Sequence, residues 1–166
     1  MAGFHTKTFI EYDDYMTPKY AWENIKDLIP INKVIWEPFY GDGKSGEYLT
    51  DLGFEVIHKP IDFFENDEGD IIVSNPPFSK CKEILKRLKE LNKPFILILP
   101  SSKINTSYMR EFFTNYKLQI IIPRKRIHFN KLKDGKIINE NNRSCNFDCF
   151  YYCYDINLKN DITWLI

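Results

Sequence analysis

The stretch 70–78 reads Asp-Ile-Ile-Val-Ser-Asn-Pro-Pro-Phe. A short apolar run of this kind marks a buried strand, and it stops dead at Asn75-Pro76-Pro77-Phe78. Two successive prolines lack N–H donors and hold φ near −65°, so neither can extend a ladder. The chain must leave the sheet as a stiff loop. That loop presents an amide side chain (Asn75), backbone carbonyls and one aromatic ring (Phe78). An amide oxygen and a carbonyl together can accept both protons of a planar amino group, and a ring beside them can stack on the base carrying it. At the carboxyl end of a strand, the set lies where open α/β sheets bind ligands.

Upstream, residues 34–46 read Val-Ile-Trp-Glu-Pro-Phe-Tyr-Gly-Asp-Gly-Lys-Ser-Gly. A strand over 34–36 runs into Glu37-Pro38, then into a Gly-x-Gly-x-x-Gly turn at Gly41, Gly43 and Gly46. A helix is predicted over 45–52, with Gly53 as its stop. Gly-x-Gly-x-x-Gly alone also suits a dinucleotide site, but Glu37-Pro38 between strand and glycines is unusual there. The spacing of a Walker-type phosphate loop is absent.

The remaining pattern alternates strands with helices: a helix from Pro18 to about 29, strands at 54–58, 95–99 and 118–122, helices at 80–91 and 106–115. The remainder reads as β, with a hairpin turn at Lys133-Asp134-Gly135-Lys136 and a strand over 147–154. This order predicts a doubly wound, mostly parallel Rossmann-like α/β sheet with a C-terminal antiparallel hairpin. At 166 residues the chain is expected to be a single domain, with 1–15 a loosely held arm.

The two motifs together resemble those of S-adenosylmethionine-dependent N6-adenine methyltransferases, in particular the small phage-type enzymes. Glu37-Pro38-x-x-Gly41-x-Gly43 resembles the cofactor motif of that family, and Asn75-Pro76-Pro77-Phe78 its catalytic motif. Thr17-Pro18 resembles the motif holding the methionine end of the cofactor, and Asp62-Phe63 the pair contacting its adenine. Arg126-Ile127-His128-Phe129 and the 147–154 strand resemble the family's tail. The resemblance spans about 12–155 and implies a class I methyltransferase fold. It also implies S-adenosylmethionine as cofactor, with S-adenosylhomocysteine as product, and DNA adenine as substrate. Adenosine in RNA, including a cap-adjacent one, fits the same catalytic loop. A protein glutamine amide fits it too, although Tyr is commoner there at the Phe78 position, and a helical substrate region is expected ahead of the domain. A non-catalytic subunit binding nucleic acid or a partner is the alternative from another class. The family usually carries an acidic residue after the second strand to hold the ribose. Here that strand ends in His58-Lys59-Pro60; either Asp62 takes the role or other groups do.

Net charge is zero, from 23 Lys and Arg against 23 Asp and Glu, so no bulk attraction draws in a polyanion. Charge is nevertheless segregated. Arg124, Lys125, Arg126, Lys133 and Lys136 form a basic run expected to touch nucleic-acid phosphates. The run 80–93 reads as a solvated helix face. Cysteines 81, 145, 149 and 153 form no Cys-x-x-Cys pair, and no metal site is expected. No signal peptide or membrane span is seen, so an intracellular, reducing setting is expected. With no room for a separate recognition domain, target choice is expected from loops, from the 124–146 segment, from a partner subunit or a second copy, or is expected to be lax.

Overall fold

The most apolar segments of the chain form the middle of a sheet. A computed structural model describes residues 15–133, 136–137 and 146–166. In it, β4 (Ile71–Ser74) and β5 (Phe95–Pro100) are buried at every position. β2 (Ile35–Trp36), β3 (Val56–Ile57), β6 (Leu118–Ile122), β9 (Cys149–Tyr154) and β10 (Ile162–Trp164) complete a seven-stranded sheet in the order β10-β6-β9-β5-β4-β2-β3. β9 runs antiparallel to both β5 and β6; every other pairing is parallel. The expected antiparallel strand therefore lies inside the sheet, between its neighbours. Both of its faces are covered, which agrees with the near-continuous burial of Cys149, Tyr151, Tyr152, Cys153 and Tyr154.

Helices link the parallel strands. α2 (Lys44–Asp51) joins β2 to β3, α3 (Cys81–Leu91) joins β4 to β5, and α4 (Ser107–Phe113) joins β5 to β6. From β2 the chain steps outward to β3, then returns to β4 on the other side of β2. Right-handed crossovers in opposite directions put α2 and α3 on opposite faces. Accordingly α1 (Lys19–Glu23) packs with α2, and α3 packs with α4. The reversal makes the carboxyl ends of β2 and β4 the topological switch point, where a crevice opens in sheets of this kind.

Local chemistry explains the element ends. α3 buries Cys81, Ile84, Leu85 and Leu88, an i, i+3, i+4, i+7 stripe. It stops at Asn92 in the left-handed region, φ 49°. α2 starts at Gly43 and is followed by Gly53 at φ 99°, the predicted stop. α1 is shorter than expected: it ends at Glu23, and a 3₁₀ turn over Lys26–Leu28 replaces its second half. β10 was not expected. Its parallel pairing to β6 is secured by buried Gln119, whose amide donates to Leu158 O at 2.9 Å and accepts from Leu158 N at 2.8 Å.

A second, three-stranded sheet stands apart, ordered β1 (Tyr15–Met16), β7 (Asn130–Lys133) and β8 (Lys136–Ile137). Lys133 pairs with Lys136, as the hairpin reading requires. Its turn residues, 134 and 135, lie outside the described residues, as do Cys145 and most of the expected N-terminal arm. Tyr15 itself is held in β1 against Lys131.

Candidate active site

β2 and β4 are neighbours, with Ile35 opposite Ile71 and Trp36 opposite Ile72. In this register Glu37 falls opposite Val73, and Asn75 follows two residues further along β4 at the switch point, its backbone N–H reaching the Glu37 carboxyl. Glu37 is 1% exposed. Its Oε1 accepts the Ser74 hydroxyl at 2.6 Å and the Phe39 amide at 3.0 Å. Burial disfavours the charged form and pushes the carboxyl up from 4.5 to about 8, against the pull of hydrogen bonds from Ser74, Phe39 and the Asn75 backbone. A cation placed beside this buried acid would restore its charged form.

Asn75 is oriented from β1. Its Nδ2 donates to Tyr15 O at 3.3 Å, and its Oδ1 is buried with no hydrogen-bond partner. The amide thus spends its donor on the protein and keeps its acceptor. A buried acceptor left open costs about 1–3 kcal/mol, so its place is beside an arriving donor. Pro76 and Pro77 are buried next to it. Phe78 corrects the expectation of an exposed platform: it is 8% exposed and lies edge-on to Phe129 at 6.2 Å and Phe147 at 5.9 Å. After the prolines the chain turns at once into a 3₁₀ turn (Phe78–Lys80), which rolls the ring inward. Tyr15 joins this cluster, edge-on to Phe129 and Phe147.

The glycine turn is conformationally necessary. Gly41 and Gly43 have φ of 57° and 80°, values that L side chains rarely adopt. Gly46 serves packing: a Cβ there would stand 2.4 Å from the His58 ring. His58 occupies the end of β3, where the family pattern expects a carboxylate. Its Nδ1 is 2.8 Å from Glu37 O, and its ring stacks on Tyr40 at 4.8 Å. It ties β3 to the backbone of the acidic residue. Asp62 closes a turn instead, accepting the Phe64 amide at 2.8 Å. Phe63 is buried against Trp36 and Phe39. Thr17 and Pro18 are buried ahead of α1, two residues beyond the Tyr15 carbonyl that holds Asn75.

Sequence reasoning missed Ser74, Tyr15 and His58. Ser74 was legible as the last strand residue before the motif, but its partner Glu37 emerges only from strand order. The basic run 80–93 is partly structural. Arg87 donates to Phe63 O and Asn66 O, and Lys93 to Glu68 O and Gly69 O, so both tie down the loop after β3.

The other basic run follows β6. Arg124, Lys125 and Arg126 are exposed. Arg126 is bound by Asp148 in a two-pronged pair, 2.8 and 3.0 Å, which holds that carboxyl below its ordinary range. Arg124 and Lys125 line a groove of about 500 Å³ together with Tyr20, Asn24, Arg126, His128, Leu165 and Ile166. Lys133 and Lys136 pair with each other on the small sheet. Among the described residues no His, Cys, Asp and Glu cluster could hold a metal, and no helix is long and apolar enough to cross a membrane.

No protein-family model matches this chain, and no curated protein matches its sequence. Among solved structures, the chain is similar to a proposed class I S-adenosylmethionine-dependent methyltransferase from Listeria monocytogenes, at 12% identity and a TM-score of 0.45, over 95% of this chain and 67% of that one. The strand order and the switch point, not this likeness, make the chain a doubly wound, mostly parallel α/β protein with one antiparallel strand set inside the sheet.

Proposed function

We propose that this chain transfers a methyl group from S-adenosylmethionine to the exocyclic N6 amino group of adenine in DNA. The observation that carries the reading is Asn75. It stands at the switch point with its donor tied to Tyr15 O and its buried acceptor open, the arrangement needed to receive an amino proton.

The residues present fit the cofactor. Buried Glu37, easily ionised by a neighbouring cation, suits the ammonium of the methionine end, and the 41–46 turn lets backbone approach closely. The same reading gives Thr17 and Pro18 the methionine end of the cofactor, and Asp62 and Phe63, in the turn beyond β3, its adenine. When bound, S-adenosylmethionine supplies a methyl group activated on a sulfonium. Asn75 Oδ1 and the Pro76 carbonyl accept the two protons of the adenine amine. That favours a pyramidal nitrogen and localises a lone pair otherwise delocalised into the ring. Phe78, packed edge-on against Phe129 and Phe147, braces the loop that carries Asn75. Catalysis of this type rests on positioning, and no strong general base is needed. The target base must be flipped out of a duplex or taken from a single strand.

The test is methyl transfer from labelled cofactor to duplex DNA, single-stranded DNA and RNA, followed by nucleoside analysis. N6-methyladenine in DNA is expected. Asn75→Ala should lose at least a hundredfold in kcat while cofactor affinity, read by calorimetry, stays within a few-fold. Near-full activity in that variant would sink the role given to the loop.

A further inference from the structure

We propose that the groove between α1 and the 124–128 segment is a binding site for one unstacked nucleotide of a single-stranded polynucleotide, flanking the target base. This rests on the reading of the switch point as a base-modifying site.

Three observations carry it. The first is position. The 124–128 segment leaves the carboxyl end of β6, and Leu165 leaves the parallel end of β10. The groove therefore opens on the same sheet edge as Asn75. β5 and β9 lie between β4 and β6, so three strand spacings, about 14 Å, separate the two places. A strand a few nucleotides long covers that distance.

The second is charge. Arg124 and Lys125 are exposed, and neither makes a salt bridge among the described residues. Arg126 beside them is committed to Asp148. In a chain of zero net charge, two such cations side by side in a concavity form a local phosphate site.

The third is the wall. Tyr20 is 37% exposed, and its hydroxyl accepts the His128 amide at 2.7 Å, which fixes the ring of α1 against the 124–128 segment that carries the basic residues. Leu165 and Ile166 add apolar surface. A basic groove with a fixed aromatic ring suits an unstacked base, which offers its π-face whatever its identity. A duplex keeps its bases stacked and would present only phosphates to this concavity. The groove thus favours single strands and little sequence preference.

The experiment measures anisotropy of labelled ten-nucleotide single-stranded DNA, its RNA counterpart and the duplex, across a salt series. It compares wild type, Arg124→Ala/Lys125→Ala, Tyr20→Leu and Tyr20→Phe. Wild type should bind either single strand at least tenfold tighter than duplex. The double variant should lose tenfold or more and lower the salt slope by about 1.4, two phosphates at about 0.7 each. Tyr20→Leu should lose about tenfold with the slope unchanged, and Tyr20→Phe, which keeps the π-face but not the hydroxyl that holds it, should lose less than Tyr20→Leu. Thermal melts confirm folding of each variant, and cofactor binding should not differ among them. Unchanged affinity and slope in the double variant, or equal binding of duplex, overturns the proposal. A wild type that binds cofactor but no oligonucleotide overturns the groove alone. One that binds strands here but no cofactor overturns the methyl-transfer reading instead.

Discussion

Glu37 is a carboxyl held almost wholly out of water, 1% exposed. Its carboxyl sits at about 8 rather than 4.5 because it is buried. Between those values the native chain binds more protons than the unfolded one, so this group's stabilisation is full below pH 4.5 and is lost as pH rises through 8. Glu37→Gln is fixed neutral and should flatten that portion of the Tm–pH profile, with a higher Tm than wild type at pH 8. Parallel profiles would mean that the carboxyl titrates normally. The same residue makes a prediction for ligand binding. If a cation docks beside it, binding at pH 7 should release up to about one proton, read by calorimetry in buffers of different ionisation enthalpy. Neither effect could be read from Glu37-Pro38 in the sequence. The dipeptide marks a strand end, but burial and the Ser74 hydroxyl come from β4.

At the level of elements, the tightest joint is between α2 and β3. Gly46 has no room for a methyl group, since His58 lies 2.4 Å from where a Cβ would be. Gly46→Ala should therefore push His58 off the Glu37 carbonyl and cost about 1–3 kcal/mol, typical of overpacking, with the crevice disturbed as well. Gly53 is the control: nothing lies within 4 Å of a Cβ there, but its φ is 99°, so Gly53→Ala should cost about 1 kcal/mol through strain alone. Urea unfolding of both variants separates the two causes, and equal losses together with unaltered ligand binding would show that the His58 joint is unimportant. The element readings that held were those with strong local signals. The α3 stripe and the apolar runs of β4 and β5 are periodicity, and Gly53 is helix-stop chemistry. β10 had no such signal, because Ile162 and Trp164 are exposed at 52% and 70% and the strand exists through its pairing to β6.

Across the whole molecule, stability should follow depth in the sheet. β5 and β9 have a partner strand on each side and are almost wholly buried, and tyrosines of β9 anchor distant parts: Tyr151 to Ala21 O at 2.6 Å, Tyr152 to Pro100 O at 2.8 Å, Tyr154 to Asn92 Oδ1 at 2.8 Å. β3 and β10 are the edges. Amide exchange should be slowest in β5 and β9 and faster by orders of magnitude in β3 and β10; uniform protection would contradict this gradient. Tyr151→Phe should cost about 1–3 kcal/mol, because the buried Ala21 carbonyl would lose its partner.

The sequence by itself determined the alternation of strands and helices, and with it the α/β class. It also determined the place where the chain must leave the sheet, because Pro76 and Pro77 cannot continue a ladder in any surroundings. The glycine turn was equally local, since positive φ at Gly41 and Gly43 is a property of those residues. Tertiary structure decided what these pieces face. It set β4 beside β2, so that Glu37 is buried with the Ser74 hydroxyl donating to its carboxyl. It brought Tyr15 across to take the Asn75 donor, turned Phe78 inward onto Phe129 and Phe147, and committed Arg126 to Asp148 while leaving Arg124 and Lys125 in a groove with Tyr20. These are contacts between residues far apart in the chain, and their energies depend on burial and distance, which no local pattern encodes.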